Sequence, residues 1–194
     1  MQPLFFATIA FCFILQLYMK QIIALLLLLS TGFAAIAQQQ SGTTTQQTTP
    51  LLSPRAYVNT KHVYVSYGQP AKRNRIIFGE LVPYGQVWRT GANEATEITF
   101  RSKMKIAGVS VDTGTYTFFT IPGEKEWTII LNKQLGQWGA YEYEKHKDKD
   151  VVKVNVPVVP LKKMQEKLVY EVSRKALTIK WDKTSVNIPL IINQ

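Results

Sequence analysis

The residues whose types and spacing could carry chemistry are densest in one short stretch, residues 87–96, with the sequence VWRTGANEAT. Arg89 offers a planar guanidinium that pairs well with a carboxylate or a phosphate. Asn93 can both donate and accept hydrogen bonds, and Trp88 offers an aromatic face to a sugar ring. Together with Glu94, these side chains predict a loop that binds a sugar or an acidic group.

The same loop also has a structural interpretation. Arg89 and Glu94 can pair with each other or with Arg75, while Asn93 satisfies the backbone of a turn. Removing one partner of a buried ion pair costs about 3–5 kcal/mol, whereas removing an exposed side chain changes stability by about 0.5 kcal/mol or less. We expect the structural outcome for Arg89 and Glu94, with Trp88 packed beneath them; the binding loop is the other outcome.

Aromatic residues form a second group of candidates. The stretch WGAYEY carries Trp138, Tyr141 and Tyr143, which on the surface could form a platform for stacking on sugars. Trp127 and Trp181 alternate with polar neighbours as core residues do, so we expect at least three of the four tryptophans in the core. The candidate ligand-binding residues are therefore Trp88, Arg89, Asn93, Glu94, Arg75 and Trp138.

The chain has two His and one Cys, which is too few for an active site built on several such residues. His62 lies in an alternating strand pattern and His146 in the charged run KHKDKD, and no motif of a serine hydrolase, a zinc site or a calcium loop occurs. We therefore predict no catalytic residue, no metal and no cofactor. The alternative function is a hydrolase that acts on an envelope polymer through dispersed carboxylates, since 13 acidic residues allow many pairs.

The charge balance favours an anionic partner. The 194-residue chain carries 23 Lys and Arg against 13 Asp and Glu, which gives a net charge of +10. The basic residues are scattered, so their attraction for an anionic surface is weak and sensitive to salt. An export signal argues against nucleic acid, so the expected partner is a carbohydrate or an anionic component of the cell envelope.

That export signal is predicted within residues 1–37, which hold no acidic residue and one basic residue, Lys20. Read from Met1, this segment could form a membrane hairpin or a long anchor. Read from Met19, it has the proportions of a secretory signal peptide, with a short apolar stretch and a small-residue cleavage site that ends at Ala37. The apolar stretch is shorter than the roughly 20 residues that span a bilayer.

We therefore predict that residues 1–18 are a mis-called upstream extension and that residues 19–37 are a signal peptide. Cleavage removes Cys12, so the exported protein has no thiol, and it has no membrane span. Residues 38–52 begin QQQSGTTTQQTT and predict a disordered linker, because they lack the apolar surface needed to fold. The expected location is the periplasm or the exterior of the cell.

Residues 53–194 predict a single all-β domain. Short runs with alternating or continuous apolar residues are separated by turn residues. The predicted strands are residues 62–67, 97–101, 104–106, 115–121, 127–131, 151–159, 167–172, 177–181 and 185–192. This number and spacing predict an antiparallel β-sandwich of Greek-key, immunoglobulin-like type.

Three details refine the predicted sheet. Residues 127–131 are almost wholly apolar, which is typical of a strand covered on both faces. Pro189 marks the last strand as an edge strand, because proline cannot donate to a ladder. No apolar pattern is long enough for a substantial helix, and only residues 160–165 are expected to form a turn or two.

The sequence DTGTY, which ends at Tyr116, has the form of a tyrosine corner. In that motif a tyrosine hydroxyl bonds back to the upstream backbone. We expect Tyr116 to have this structural role.

Several of these blocks occur together in one known family. The stretch SYGQPAKRNRIIFGELVPYGQVWRTGANEAT, then DTGTYTFFTIP and then residues 127–132 resemble the DUF2911 domain, which is typical of secreted proteins of the Bacteroidetes type. The resemblance extends over residues 53–192 and implies a single exported β domain, but it supplies no known catalytic or binding residue. We predict a non-catalytic binding or accessory module of the cell envelope.

Overall fold

The structure is a computed structural model that describes residues 52–192. The predicted upstream extension, the signal peptide and the linker up to residue 51 lie outside the described residues. Within them, no helix is long and apolar enough to cross a membrane.

Nine strands and very little helix make up the described part of the chain. The strands are β1 (Arg55–Asn59), β2 (Val63–Gly68), β3 (Thr96–Phe100), β4 (Met104–Ile106), β5 (Val109–Val111), β6 (Gly114–Ile121), β7 (Glu126–Asn132), β8 (Asp150–Val172) and β9 (Ala176–Ile192). One short helix, α1 (Tyr143–His146), leads into a single 3-10 turn at Lys147–Lys149. The prediction that no substantial helix forms is confirmed for residues 52–192.

The strands form one antiparallel sheet in the order β1-β2-β3-β6-β7-β8-β9-β4-β5. Every neighbouring pair in this order is antiparallel. The all-β class is therefore confirmed, while the sandwich and Greek-key arrangement stays a prediction.

β8 joins two predicted strands, residues 151–159 and 167–172, into one. The helical turn expected at residues 160–165 is wrong, because this segment is extended and belongs to β8. The pairing of β8 with β9 shifts its register on both sides of Gln165. Irregularities of this kind interrupt the alternation of buried and exposed side chains while the backbone stays extended.

β9 likewise contains the last two predicted strands, and it bends back between them. The Thr178 hydroxyl donates to Oδ1 of Asn187 over 2.9 Å. A straight strand would separate residues nine positions apart by roughly 30 Å. Asp182 lies between them with a φ of 53°, in the left-handed region that an extended strand does not visit.

The prediction that Pro189 marks an edge strand is wrong, because β9 pairs with β8 on one side and with β4 on the other. Pro189 is tolerated because it lies between the two paired stretches, residues 177–186 and residues 190–192. Its carbonyl accepts a hydrogen bond from the backbone N–H of Ala107 over 2.8 Å.

β7 is covered on both faces, as predicted. Trp127, Ile129 and Leu131 are buried in the main core, and Ile130 points the other way into a smaller cluster that includes Phe119 of β6. The chain that follows β7 covers this second cluster. The continuous apolar pattern of β7 thus reflects two buried faces.

The tyrosine corner is also confirmed. The hydroxyl of Tyr116 donates to the carbonyl of Asp112 over 3.1 Å, which ties the start of β6 to the turn before it.

Candidate functional site

The predicted binding loop is the end of a long connection between β2 and β3, residues 69–95. Trp88 exchanges two backbone hydrogen bonds with Thr120 of β6, of 2.7 Å and 3.0 Å. The N–H of Ala92 donates to the carbonyl of Gly68, the last residue of β2, over 3.1 Å. These bonds attach the loop to two strands of the sheet and so fix the backbone between Trp88 and Ala92.

Thr90 is the most constrained residue of the loop. It is fully buried with a φ of 53°, which is rare for a β-branched residue. Its carbonyl accepts hydrogen bonds from the hydroxyls of Tyr170 (2.7 Å) and Thr96 (3.0 Å). Burial raises the pKa of Tyr170 well above its usual value, so its hydroxyl remains a donor. Side chains of β8 and β3 thus hold the strained turn beside Arg89.

The glycine of WRTGANE is required for close packing. A Cβ on Gly91 would lie 2.9 Å from the hydroxyl oxygen of Thr96, and a Cβ on Gly68 would lie 2.0 Å from the carbonyl oxygen of Ala92. The loop and the end of β2 approach each other through these two glycines. No larger side chain fits this seam without moving backbone.

Four of the six candidate residues line one cavity of about 280 Å³: Arg75, Trp88, Arg89 and Asn93. We call it the arginine cavity. Most of the remaining lining is apolar, and it includes Leu81, Val82 and Trp181. Among the described residues no acidic side chain lines this cavity, so its two arginines determine its charge.

Arg89 has no carboxylate partner within residues 52–192. Its Nε is buried and makes no hydrogen bond. A buried donor without a partner costs roughly 1–3 kcal/mol, so such groups are rare and call for a physical explanation. Nε itself is closed to solvent, so an oxyanion in the cavity would pair with the rest of the guanidinium of this partly exposed, cavity-lining residue.

The predicted buried pair between Arg89 and Glu94 is wrong. Oε2 of Glu94 lies 2.9 Å from Nη1 of Arg55, and both side chains are partly exposed. Nε of Arg55 also donates to the hydroxyl of Ser66 over 2.9 Å, which holds the guanidinium beside Glu94. Because β1 runs next to β2, a strand that precedes the loop by many residues supplies the partner.

Arg75 is positioned by the backbone of its own turn. Its Nε donates to the carbonyl of Lys72 (3.0 Å) and its Nη2 to the carbonyl of Ala71 (2.6 Å). Lys72 is in turn paired with Asp182 at the bend of β9, at 3.2 Å. Neutral carbonyls orient the Arg75 guanidinium without neutralising it.

Asn93 links the cavity to the segment that precedes β1. Its Nδ2 donates to the carbonyl of Ser53 over 2.9 Å, and its φ of 64° is one that asparagine tolerates better than most residues. The side chain therefore satisfies backbone, as the structural interpretation expects, but the backbone belongs to a distant segment. Ser53 lines the cavity as well.

Trp88 is part of the core. Its ring stacks on that of Trp181 with 5.9 Å between centroids and meets that of Trp127 edge-on at 6.0 Å. All three are buried, which confirms the expectation that at least three tryptophans lie in the core. Trp88 and its stacked partner Trp181 both line the arginine cavity.

Glu94 and Trp138 do not line the arginine cavity. Their backbones form a bridge, and the Trp138 side chain is 53% exposed. Tyr141 is also exposed, but Tyr143 is buried and its hydroxyl donates to Oδ2 of Asp150 over 2.6 Å. The aromatic surface group therefore consists of Trp138 and Tyr141.

Eight of the twelve lining residues were not among the sequence candidates, and Trp181 and Leu81 illustrate the two reasons. Trp181 carried a clear strand alternation that indicated a core position, and it is both a core residue and a cavity wall. Leu81 lies in a stretch with no periodic pattern, so no signal in the sequence marks it.

The rest of the described surface adds no metal-binding group. Within residues 52–192, no cluster of three or more His, Cys, Asp or Glu residues is placed to hold a metal ion. A larger depression of about 740 Å³ lies at the start of β2, where His62 and Arg174 are among its lining residues. None of the candidate residues lines it.

A family model described as a protein of unknown function, DUF2911, matches residues 50–190. The chain belongs to the DUF2911 family. The match includes all six candidate residues and nearly the whole sheet, so the DUF2911 domain comprises both the fold and the arginine cavity. No curated protein and no solved structure matches the chain.

Proposed function

We propose that this DUF2911 protein is a non-catalytic binding module of the cell envelope. Its ligand is an anionic group, such as a carboxylate, phosphate or sulfate on a carbohydrate or another envelope component. The observation that carries the proposal is the pair of guanidiniums, Arg75 and Arg89, at one cavity with no carboxyl group in its described lining.

The electrostatics of the cavity support an anion. Arg89 has an unpartnered Nε and Arg75 is held only by backbone carbonyls, so neither charge is neutralised by a described residue. A guanidinium can hold two oxygens of a carboxylate or phosphate at once. A hydrogen bond to a charged group contributes about 1.5–3 kcal/mol, which suffices for a specific contact.

The size of the cavity favours a small group. A volume of about 280 Å³ lies just below the usual range for small-molecule pockets, roughly 300–1,000 Å³. One acidic sugar unit or one phosphate group suits this volume better than an extended polymer chain. The predicted signal peptide is what supports a location in the envelope, where acidic glycans and anionic lipids are available.

The hydrolase alternative receives no support from this cavity. Hydrolysis of a glycoside uses two carboxyl groups about 5–10 Å apart across the bond. The described lining supplies none, and its charged groups are both cationic. Assays for release of reducing ends from envelope glycans should therefore show no turnover.

Titration calorimetry on protein purified from cells that express the full chain tests the proposal. The probes are glucuronate and inorganic phosphate, with glucose as the neutral control. We expect binding of an acidic probe that weakens as salt is added, because screening reduces attraction between charges. We expect no binding of glucose.

The decisive variant is Arg89→Gln, and its matched control is Arg73→Gln, which removes the same charge from an exposed residue outside the cavity. Arg89→Gln should weaken binding by about 10- to 100-fold, the equivalent of one charged hydrogen bond. Arg73→Gln should change it by less than about twofold. Absence of binding by every acidic probe, or equal binding by both variants, would contradict the proposal.

A further inference from the structure

We infer that the anion bound in the arginine cavity carries an apolar chain, so that the natural ligand is an amphiphile with an anionic head group and an alkyl or acyl tail. This inference rests on the proposed function and specifies its ligand. It comes from apolar side chains that are exposed at the rim of the cavity, next to its two arginines.

The rim is formed by Leu52 and Leu81, and Ile76 is attached to it through Arg75 and Leu81. Leu52 and Leu81 line the cavity and are 65% and 44% exposed. Ile76 follows Arg75 directly, is 57% exposed, and its carbonyl accepts a hydrogen bond from the N–H of Leu81 over 3.3 Å. Single exposed apolar residues are common, but a group of them at the mouth of a cavity indicates a binding surface.

The interior of the cavity continues this apolar surface. Val82, Trp88 and Trp181 are buried and form walls around the guanidiniums. An inorganic anion would contact the two arginines and leave the rim in water. A head group with an attached chain would pair with the arginines and also cover Leu52 and Leu81.

The charge around the rim agrees with this ligand. Arg75 is exposed on the turn that leads to Ile76. The same turn carries one acidic residue, Glu80, which is exposed and does not line the cavity. A membrane lipid and a free fatty acid share the chemistry required, an oxyanion on an apolar chain, and experiment can distinguish them.

A homologous series of probes tests the inference. Binding of acetate, butyrate, hexanoate and octanoate is measured by calorimetry with the same purified protein. A methylene buried completely contributes about 0.8 kcal/mol, or nearly fourfold in affinity. Because the rim is open, we expect a rise of about two- to fourfold per methylene over the first members of the series.

The matched variants are Leu81→Ser at the rim and Ile191→Ser on β9, an isoleucine that is 58% exposed and does not line the cavity. Leu81→Ser should flatten the dependence of affinity on chain length. Ile191→Ser should retain the dependence of the unmodified protein. Thermal melts confirm that both variants are folded.

The outcomes separate the two proposals. Affinities that depend on Arg89 but not on chain length would overturn the amphiphile and leave the anion site intact. Affinities that rise with chain length but are equal in Arg89→Gln would overturn the anion site and, with it, the amphiphile. A rise that persists in Leu81→Ser would overturn the assignment of the chain to this rim.

Vesicles distinguish the source of the ligand. Binding to phosphatidylglycerol vesicles, but not to phosphatidylcholine vesicles, with loss in Arg89→Gln would support a membrane lipid. Binding of octanoate without binding to either vesicle would support a free amphiphile. Failure to bind octanoate and both vesicles would overturn the inference.

Discussion

The guanidinium of Arg89 includes a buried Nε that has no hydrogen-bond partner. Replacing it with methionine retains an apolar stem of similar length and removes the unpartnered donor. We therefore expect Arg89→Met to unfold with a free energy that is unchanged or higher, by up to about 1–3 kcal/mol, the cost of an unsatisfied buried donor. Chemical denaturation measures the change.

The opposite result would be equally clear. A loss of about 3–5 kcal/mol in Arg89→Met would mean that the guanidinium belongs to a buried ion pair. Glu94→Ala provides the comparison, because its partner Arg55 forms a partly exposed pair with it. Exposed pairs contribute about 0–1 kcal/mol, so Glu94→Ala should have a small effect.

The tyrosine corner gives a second prediction at the scale of one residue, the effect on stability of removing the Tyr116 hydroxyl. Tyr116→Phe removes the hydroxyl that donates to the carbonyl of Asp112 and should lower the free energy of unfolding by about 0.5–1.5 kcal/mol. The control is Tyr141→Phe, because Tyr141 is exposed. Equal denaturation midpoints for the two variants would show that the corner does not contribute to stability.

Residue types predicted several of the polar residues that line the arginine cavity, but not the partner of Glu94. The concentration of Arg, Asn and Trp in WRTGANE indicated a loop that lines the arginine cavity, and Arg75, from a neighbouring basic cluster, lines it too. The partner of Glu94 is Arg55, 39 positions earlier, and adjacency of β1 and β2 brings it there. Local spacing contains no information about such a contact, since the pairing of strands decides it.

At the scale of elements, the seam between β2 and the loop is the tightest point near the site. Gly68→Ala would place a Cβ 2.0 Å from the carbonyl oxygen of Ala92, where only backbone could move. We expect Gly68→Ala to lower stability by several kcal/mol, at the upper end of what single substitutions cost, about 4–5 kcal/mol. Thermal melts and expression of soluble protein measure this.

Gly136 provides the control for that substitution. A Cβ on Gly136 meets nothing within 4 Å, although its φ of 70° strains any residue with a side chain. Gly136→Ala should therefore cost about 1–2 kcal/mol, the strain of the left-handed conformation alone. If Gly68→Ala were no worse than Gly136→Ala, the close approach would be unimportant.

Most strands were predictable, but the short outer strands β1 and β5 were missed, and strand continuity was not predictable. Alternation indicated the paired segments of β8 and β9, because a buried face selects every second residue. The break at residues 160–165 looked like a turn, since register shifts on both sides of Gln165 disrupt alternation as a turn does. The edge-strand prediction from Pro189 failed for a related reason. β9 pairs with β8 before Pro189 and with β4 after it, so Pro189 lies between two paired stretches.

For the molecule as a whole, buried tyrosines predict the response to alkaline pH. Burial, with a further contribution from Asp150, raises the pKa of Tyr143, and burial raises that of Tyr170. In the unfolded chain both titrate near 10.0. Their contribution to stability is therefore complete below pH 10 and is lost as the pH rises above it, because only the unfolded state releases protons there.

Each such tyrosine lowers the free energy of unfolding by up to about 1.4 kcal/mol per pH unit above 10. Tyr143→Phe should reduce the slope between pH 10 and pH 11.5 by about that amount, whatever its effect at neutral pH. Denaturation at several pH values gives the slope. An unchanged slope would show that Tyr143 ionises equally in the folded state.

The order of strands leaves the sheet open, with β1 and β5 as its outer members within residues 52–192. An outer strand offers unpaired N–H and carbonyl groups to any other chain that meets it, which is how many β proteins begin to aggregate. β1 has five residues and β5 has three. Since alternate residues of an outer strand face outward, only two or three positions on β1 and one or two on β5 could join a foreign strand. We therefore expect the shortness of these two outer strands to limit aggregation through the edges of the sheet.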